Sequence, residues 1–472
     1  WTVDLWPRRR KSVIGNIIGP EIRELIEARN FSALRDVLVD FSPADVAELI
    51  TDLAEEDQAV VFRLLPRSES TEVMEYLDPD AQQCVLKAMG REDAARILND
   101  MSPDDRTALL EELPGAAVAQ MLTLLSPEER AVAQSLLNYP EDSVGRLMTP
   151  DFVSVRSDWS VQQVLDHIRE HGRDSETLNV IYVTDERGSL IDDVRIREIL
   201  LCPLATRVSD IHDSSFIALR ASDEAAGALE KFKKYDRNTL PVIDSEDKLL
   251  GIVTVDDMLD VQEEKTTEEI QKMGAVEVLD EPYLEATVLE MVKKRATWLV
   301  VLFVGEMFTA TAMGHFQAQI ERASVLALFV PLIMSSGGNS GSQASTLIIR
   351  ALAVGELRLR DWWHVMKKEV VSGVLLGGLL GLLGFIRIEA WSAVFPSSYG
   401  PFHTLIGVAV GFSILGVVLW GTLSGSMLPL LLRRLGLDPA SSSAPFVATL
   451  VDVTGLLIYF FMCSFLLRGS VL

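Results

Sequence analysis

Asp452 is a single acidic side chain inside Pro445–Leu467, a segment otherwise made of apolar and small residues. Holding an ionised carboxylate in hydrocarbon costs about 2.5 kcal/mol or more, so such a group faces a water-filled path, a partner or a bound ion. The plainer reading is a helix-to-helix contact, in which Asp452 bonds a polar group of a neighbour. A second polar run points the same way. Residues Ser335 to Gln343, reading SSGGNSGSQ, interrupt another apolar stretch, and a surface that polar must line protein or water rather than lipid. Gly337, Gly338 and Gly341 permit a local break in which backbone carbonyls and the Asn339 amide meet a hydrated ion. Tight packing of a polar helix face is the competing explanation. These are oxygen donors without a His or Cys cluster, a set that suits Mg2+ or Ca2+ and not zinc or copper. Magnesium gives up its water reluctantly, so few protein ligands suffice.

Composition says which elements hold these groups. The 472-residue chain has a net charge of -25 and yet a positive mean hydropathy, so two solvents are implied. Of its 43 basic and 68 acidic residues only 10 and 8 lie in Thr297–Leu472, which leaves 33 and 60 ahead of it. The front is a strongly acidic soluble region and the back is membrane-like. An acidic surface concentrates cations and repels nucleic acid, so divalent cations and membrane lipid are the expected partners and nucleic acid is not. Solubility alone also explains many acidic domains.

Cys84, Cys202 and Cys463 are far apart and lack CxxC spacing, which suggests neither a disulfide framework nor a thiolate metal site. The opening Trp1–Ser12 carries Arg8, Arg9, Arg10 and Lys11 with no apolar stretch of signal-peptide length behind it. Because Trp1 is not a methionine, the natural N-terminus is expected upstream. No HExxH, Walker loop or nucleophile-base pair is present, so an enzyme is not expected.

Apolar segments at 298–316, 325–349, 370–386, 404–432 and 445–467 are each close to the roughly 20 residues that cross a bilayer. Basic residues precede the first (Lys293, Lys294, Arg295), separate the second from the third (Arg350, Arg358, Arg360, Lys367, Lys368) and separate the fourth from the fifth (Arg433, Arg434). Those connections should face the cytoplasm, which puts the acidic region inside and the C-terminus outside. Gly373, Gly377 and Gly381, with Gly407 and Gly411, recur every four residues and read as close helix packing.

Ahead of the spans, Phe41, Leu53, Leu65, Leu77, Met89, Met101, Leu113 and Leu125 mark a 12-residue period. In LDPDAQQCVLKAM, MSPDDRTALLEEL and LSPEERAVAQSLL, Asp78, Ser102 and Ser126 are N-cap candidates and the following prolines fit the first helical position. Such short helices must stack to bury their apolar faces, as a solenoid does. From Gly145 to Gln262 the pattern becomes two similar α/β halves, with strands expected at 179–183, 239–243 and 251–255. LMTPDFVSVRSDWSVQQVLDHI and NTLPVIDSEDKLLGIVTVDDML resemble a tandem CBS pair, and Gly251, Thr254 and Asp257 match its Gly-x-x-Thr-x-x-Asp pattern. That resemblance implies an adenine nucleotide, such as ATP, with Thr254 and Asp257 on its ribose. In the first half Asp192 and Arg195 stand in the Gly and Ser/Thr places, which puts one of the two sites in doubt. Residues 263–294 are charged and read mostly as helix.

PLIMSSGGNSGSQASTLIIRAL and PFVATLVDVTGLLIYF, following a helical-repeat domain and a CBS pair, resemble the MgtE family of bacterial magnesium channels. The resemblance implies a multidomain chain. It comprises an α-helical solenoid at 1–140, a tandem CBS pair at 141–262, a connecting plug helix at 263–296 and an all-α membrane domain of five helices at 297–472. It further implies a homodimer in the bacterial inner membrane, gated by cytosolic Mg2+. Asp452 would bind the permeating ion, with Asn339, Ala448 and Gly455 as further pore residues. Asp236, Asp257, Asp260, Glu268, Glu269 and Asp438 would share regulatory Mg2+, and Lys265 stands where the family tends to carry another acid. Glu306, in the first span, fits an ion path and a helix pairing equally well. A coupled divalent-cation transporter and a CBS-based membrane sensor are the alternative readings.

Overall fold

The computed structural model describes residues 18–211, 213–279, 283, 286–395 and 399–467. The basic run at Arg8–Lys11 lies outside them. The chain divides into two compact units, one ending at Glu264 and one beginning at Lys265.

The first unit begins with ten short helices, from Gly19–Glu27 to Pro127–Leu137, among the described residues. Ser42, Asp78 and Ser126 accept backbone N–H bonds from Asp45, Ala81 and Glu129 as helix caps. Ser102 instead donates its hydroxyl to Asp105 at 2.7 Å. Helices of the array stack on the one two places along, Pro43–Thr51 on Arg67–Tyr76, Glu55–Phe62 on Pro79–Ala88 and Pro103–Glu111 on Pro127–Leu137. The structural repeat is therefore a helix pair, twice the 12-residue sequence period. The rungs recur with it. Asn99 Oδ1 accepts the Ser126 N–H at 2.7 Å, and one pair earlier Glu75 Oε1 accepts the Ser102 N–H at 2.9 Å.

Two three-stranded sheets follow, β1 (Ser154–Arg156), β2 (Val180–Thr184) and β3 (Leu190–Arg195), then β4 (Leu219–Arg220), β5 (Thr239–Ile243) and β6 (Leu249–Thr254). In each sheet the first strand runs parallel to the second and the second antiparallel to the third, with a register shift at Val183/Thr184 and again at Val242/Ile243. The halves cross-bond through Leu190 N–H to Asp247 O and Leu249 N–H to Gly188 O, both at 3.0 Å. Gly251 pays its way by close approach: a Cβ there would lie 2.6 Å from Thr149 O, whose strand-like bridge to Ile252 it would block.

We label α1 Pro103–Glu111 and α2 Val255–Met273. The stretch expected as one connecting helix is divided. α2 ends at Met273, where Ala275 takes a left-handed φ of 58° and Val276 N–H returns to Gln271 O. The next helix starts only at Val288, capped by Thr287.

The second unit is built on α3 (Val288–His315), α4 (Val330–Ala353), α5 (Trp362–Val394), α6 (His403–Arg434) and α7 (Ala444–Leu466). Among the described residues four of these, α3, α5, α6 and α7, are long and apolar enough to cross a membrane. α4 has 24 residues, about 36 Å at 1.5 Å each, but its polar run keeps it out of that class. The expected break in α4 is not there, since the helix is continuous. Its glycines serve approach instead. A Cβ on Gly337 would fall 2.5 Å from Val417 of α6 and 2.8 Å from Val451 of α7, and Gly341 lies against Gly421. The spaced glycines of α5 do the same against α6, with Gly381 facing Gly411.

Candidate functional site

Three groups of acids emerge, two in the second unit and one in the first. On α7, Asp452 is half-buried, and one turn earlier Ala448 shares its face. Gly338 of α4 sits opposite both: a Cβ there would be 3.5 Å from Ala448 and 3.9 Å from the Asp452 carboxylate. Those are ordinary contact distances, so alanine fits at 338 and side chains reaching beyond Cβ would approach the acid. Asn339, the next residue, is exposed and donates to Ser335 Oγ at 3.3 Å, one turn back. With Gln343 and Thr346, also exposed, they form a polar stripe along α4. Gly455 is elsewhere. It is buried against Val417 of α6 and serves packing. Glu306, exposed on α3, is within electrostatic reach of Asp452. Trp420 of α6 donates to Thr454 Oγ1 at 2.7 Å, bracing α7 two residues beyond the acid.

At one end of this helix bundle, Glu269 of α2 lines a cavity of about 330 Å³ with Ile349, Leu352, Arg433 and Asp438. Lys272, one turn on, bridges Glu268 at 2.6 Å and Asp438 at 2.9 Å. Burial raises the Glu269 carboxyl, with Asp438 and Glu268 adding repulsion. Burial pulls Lys272 down, but its bonds to Glu268 and Asp438 outweigh that and hold the ammonium above its usual range. Two adjacent acids thus meet a third from far along the chain, and a lysine occupies part of their field.

The first unit holds a cluster of which sequence reasoning named only Asp257 and Asp260. Asp104 and Asp105, at the start of α1, face Asp256, Asp257 and Asp260 of α2, with Glu75, Asp151 and Glu176 alongside. Thr254 donates both its N–H, at 3.2 Å, and its hydroxyl, at 2.7 Å, to Asp257 Oδ2. Burial pushes Asp257 up to about 7, against the opposing Thr254 bonds, with Asp256 and Asp105 adding to it. Burial likewise takes Glu75 to about 7 and raises Asp104 well above the carboxylate range, with Asp257 and Asp105 next in effect. Asp104 Oδ1 is buried with no hydrogen-bond partner. Arg106 on the same helix is committed to Glu129 and to Leu98 O. An orphaned buried oxygen amid like charges suits a cation. Among the described residues no three acid, His or Cys side chains converge tightly enough to hold a metal directly. Asp236 belongs to neither cluster. It is exposed, in the left-handed C-cap of Ala225–Tyr235.

In the first CBS-like half, Asp192 is 2% exposed and accepts the N–H groups of Asp213 and Ser214, each at 2.8 Å. Its neighbour Asp193 pairs with Arg237 of the second half at 2.8 Å. Asp192, one of the two positions that depart from the expected pattern, is thus filled by internal bonds.

Comparison with known proteins agrees with this division. The family model MgtE, a divalent cation transporter, matches residues 330–462; the MgtE intracellular N domain matches 41–142; and the CBS domain matches 144–203 and 208–264. The chain is 39% identical over 451 residues to the magnesium transporter MgtE of Thermus thermophilus, covering 95% of this chain and 98% of that one. It is 30% identical over 335 residues to the magnesium transporter MgtE of Enterococcus faecalis, covering 71% of each. Among solved structures it is similar to the cytosolic domain of the Mg2+ channel MgtE in complex with ATP, at 35% identity and a TM-score of 0.49, over 51% of this chain and 98% of that one.

Proposed function

The chain belongs to the MgtE family of divalent cation transporters, and from that premise we propose that it conducts Mg2+ into the cell through a pore at the axis of a homodimer. The observation that carries the reading is Asp452 set against α4, whose outward face is polar inside an otherwise apolar bundle. A polar exposed stripe at membrane depth needs water or protein beside it, and a second copy of α4 and α7 across a shared axis supplies both. Five helices then span the bacterial inner membrane, with the acidic region in the cytoplasm and the C-terminus outside. Two Asp452 carboxylates attract a divalent ion without stripping its water. Asn339 and Ala448 border the same path. No reaction is assigned, and the chain is read as a transporter rather than an enzyme.

Gating follows from the other two acid groups. Like charges gathered on facing elements repel, and bound Mg2+ removes the repulsion, so high cytosolic Mg2+ favours a compact closed state. Asp257 and Asp260 act with Asp104 and Asp105, and Glu268 and Glu269 act with Asp438. An adenine nucleotide at Thr254 and Asp257 is compatible with this reading, on one side of the CBS pair. Reconstituted protein in a planar bilayer tests the conduction step. Current that reverses at the Mg2+ equilibrium potential, at any proton or sodium gradient, is the expected result. A reversal potential that follows protons would instead make Asp452 and Glu306 a proton relay and the protein a coupled transporter.

Lys272 makes a signed prediction. Its ammonium already neutralises Glu268 and Asp438, so Mg2+ must compete with it. Exposed ion pairs of this kind are worth about 1 kcal/mol or less. Lys272→Met is therefore expected to lower the Mg2+ concentration that half-closes the pore, by about threefold. A shift to higher Mg2+ would mean that Lys272 is a strut of the closed state.

A further inference from the structure

The second unit contains a larger cavity that none of the above uses. It has a volume of about 710 Å³ and lies between the N-terminal end of α5, the C-terminal half of α6 and Leu450 of α7. Its walls are mainly apolar, including Trp362, Trp420 and Leu431. Arg360 and Arg434 line it too, and among the described residues no acid does. Arg360 comes only within 4.0 Å of Asp361, whose other oxygen accepts the Arg358 N–H at 3.0 Å. Ser424 lines the cavity as well, and its hydroxyl is buried without a hydrogen-bond partner. Both arginines belong to the connections that the charge distribution along the chain assigns to the cytoplasmic side.

We propose that this cavity is a binding site for an anionic phospholipid of the cytoplasmic leaflet. Guanidinium forks bind phosphate oxygens in pairs, and a basic pocket between spanning helices, opening at the headgroup level, is the arrangement that retains acidic lipids. The acyl chains cover Leu431, Leu450 and the exposed tryptophans. A zwitterionic lipid offers the same chains but cancels the phosphate with its own ammonium, so the two arginines discriminate. The site bears on transport because its wall is also the brace of α7. Trp420 lines the cavity and holds Thr454, two residues from Asp452. The inference rests on the membrane reading of this unit and not on magnesium.

The test uses full-length protein purified in neutral detergent and titrated with phosphatidylglycerol, phosphatidylcholine or inorganic phosphate, with thermal unfolding and native mass spectrometry as readouts. Phosphatidylglycerol is expected to raise the unfolding temperature and to remain bound at one lipid per subunit, while the other two additions leave both unchanged. Arg360→Gln with Arg434→Gln should weaken phosphatidylglycerol retention about tenfold or more. Equal retention of both lipids, or an undiminished preference in the double variant, overturns the proposal. A response to inorganic phosphate alone overturns it too. So does efficient disulfide linkage of two chains through Leu431→Cys in lipid-free detergent, because a second copy then covers the cavity. Each readout is independent of Mg2+ flux, so failure here leaves the pore assignment standing.

Discussion

Purified, reconstituted protein carrying Asp452→Ala is expected to pass Mg2+ about 100-fold more slowly than wild type, with its assembly state and thermal stability retained. Coulomb's law at an effective dielectric near 20 gives a divalent ion roughly 6 kcal/mol of attraction to one carboxylate about 5 Å away. Desolvation and ion-pair entropy oppose much of that. A surviving 3 kcal/mol is about two orders of magnitude in occupancy. The side chain is half-buried against a glycine, so removing it leaves no clash and little cavity. Asp452→Asn separates charge from shape: it keeps the size and should conduct almost as poorly. Glu306→Gln is the companion measurement, because Glu306 is the other acid within reach of Asp452. Wild-type flux in a folded Asp452→Ala dimer would remove the acid from the ion path and reduce it to helix contact.

Asp452 was legible in the sequence because one charge in an apolar helix has few cheap explanations. Residues 335–343 were legible only in part. Glycine supplies both freedom of φ and room for close approach, and the sequence does not say which is in use. Here α4 stays helical and its glycines admit α6 and α7. The 12-residue period was visible, but its stacking partners were not, since adjacent and alternate helices present the same apolar rows. Asp104 and Asp105 gave no signal at all. Acids in a first helical turn are what any helix N-terminus favours, and Glu55, Glu56 and Asp57 open another of these helices in the same way. Only the tertiary approach of α1 to the start of α2 turns them into a cluster. Asp236 shows the converse, an acid singled out by resemblance that stands exposed as a helix cap.

That cluster carries the second large effect. In the compact first unit burial pushes Asp257 and Glu75 up to about 7, against ordinary values of 3.8 and 4.5; Asp257 regains its own once α1 and α2 separate, and Glu75 its own once water reaches it. Their carboxyls are raised, so the contribution to the compact form is complete below the ordinary values and is lost as pH rises through about 7. Metal-free protein should therefore close up on acidification from pH 8 to pH 6, by up to about tenfold per pH unit for each proton taken up. Asp104, Asp105, Asp151, Glu176 and Asp260 face the same space, and burial raises each of their carboxyls in this direction; the charge of Asp256 adds repulsion to its neighbours. Mg2+ at pH 8 should produce the same closure by charge neutralisation. Asp104→Asn with Asp257→Asn removes two of the repelling charges and two of the bridging ones together. The double variant is then expected to be more compact than wild type without metal, less compact at saturating Mg2+, and to keep only the share of the pH response between 6 and 8 that Glu75 carries. Distance measurements between labels on α1 and on the second CBS-like half, in full-length protein, read all three. A variant that still compacts over the full wild-type range of Mg2+ would show that these acids only solubilise the surface they share.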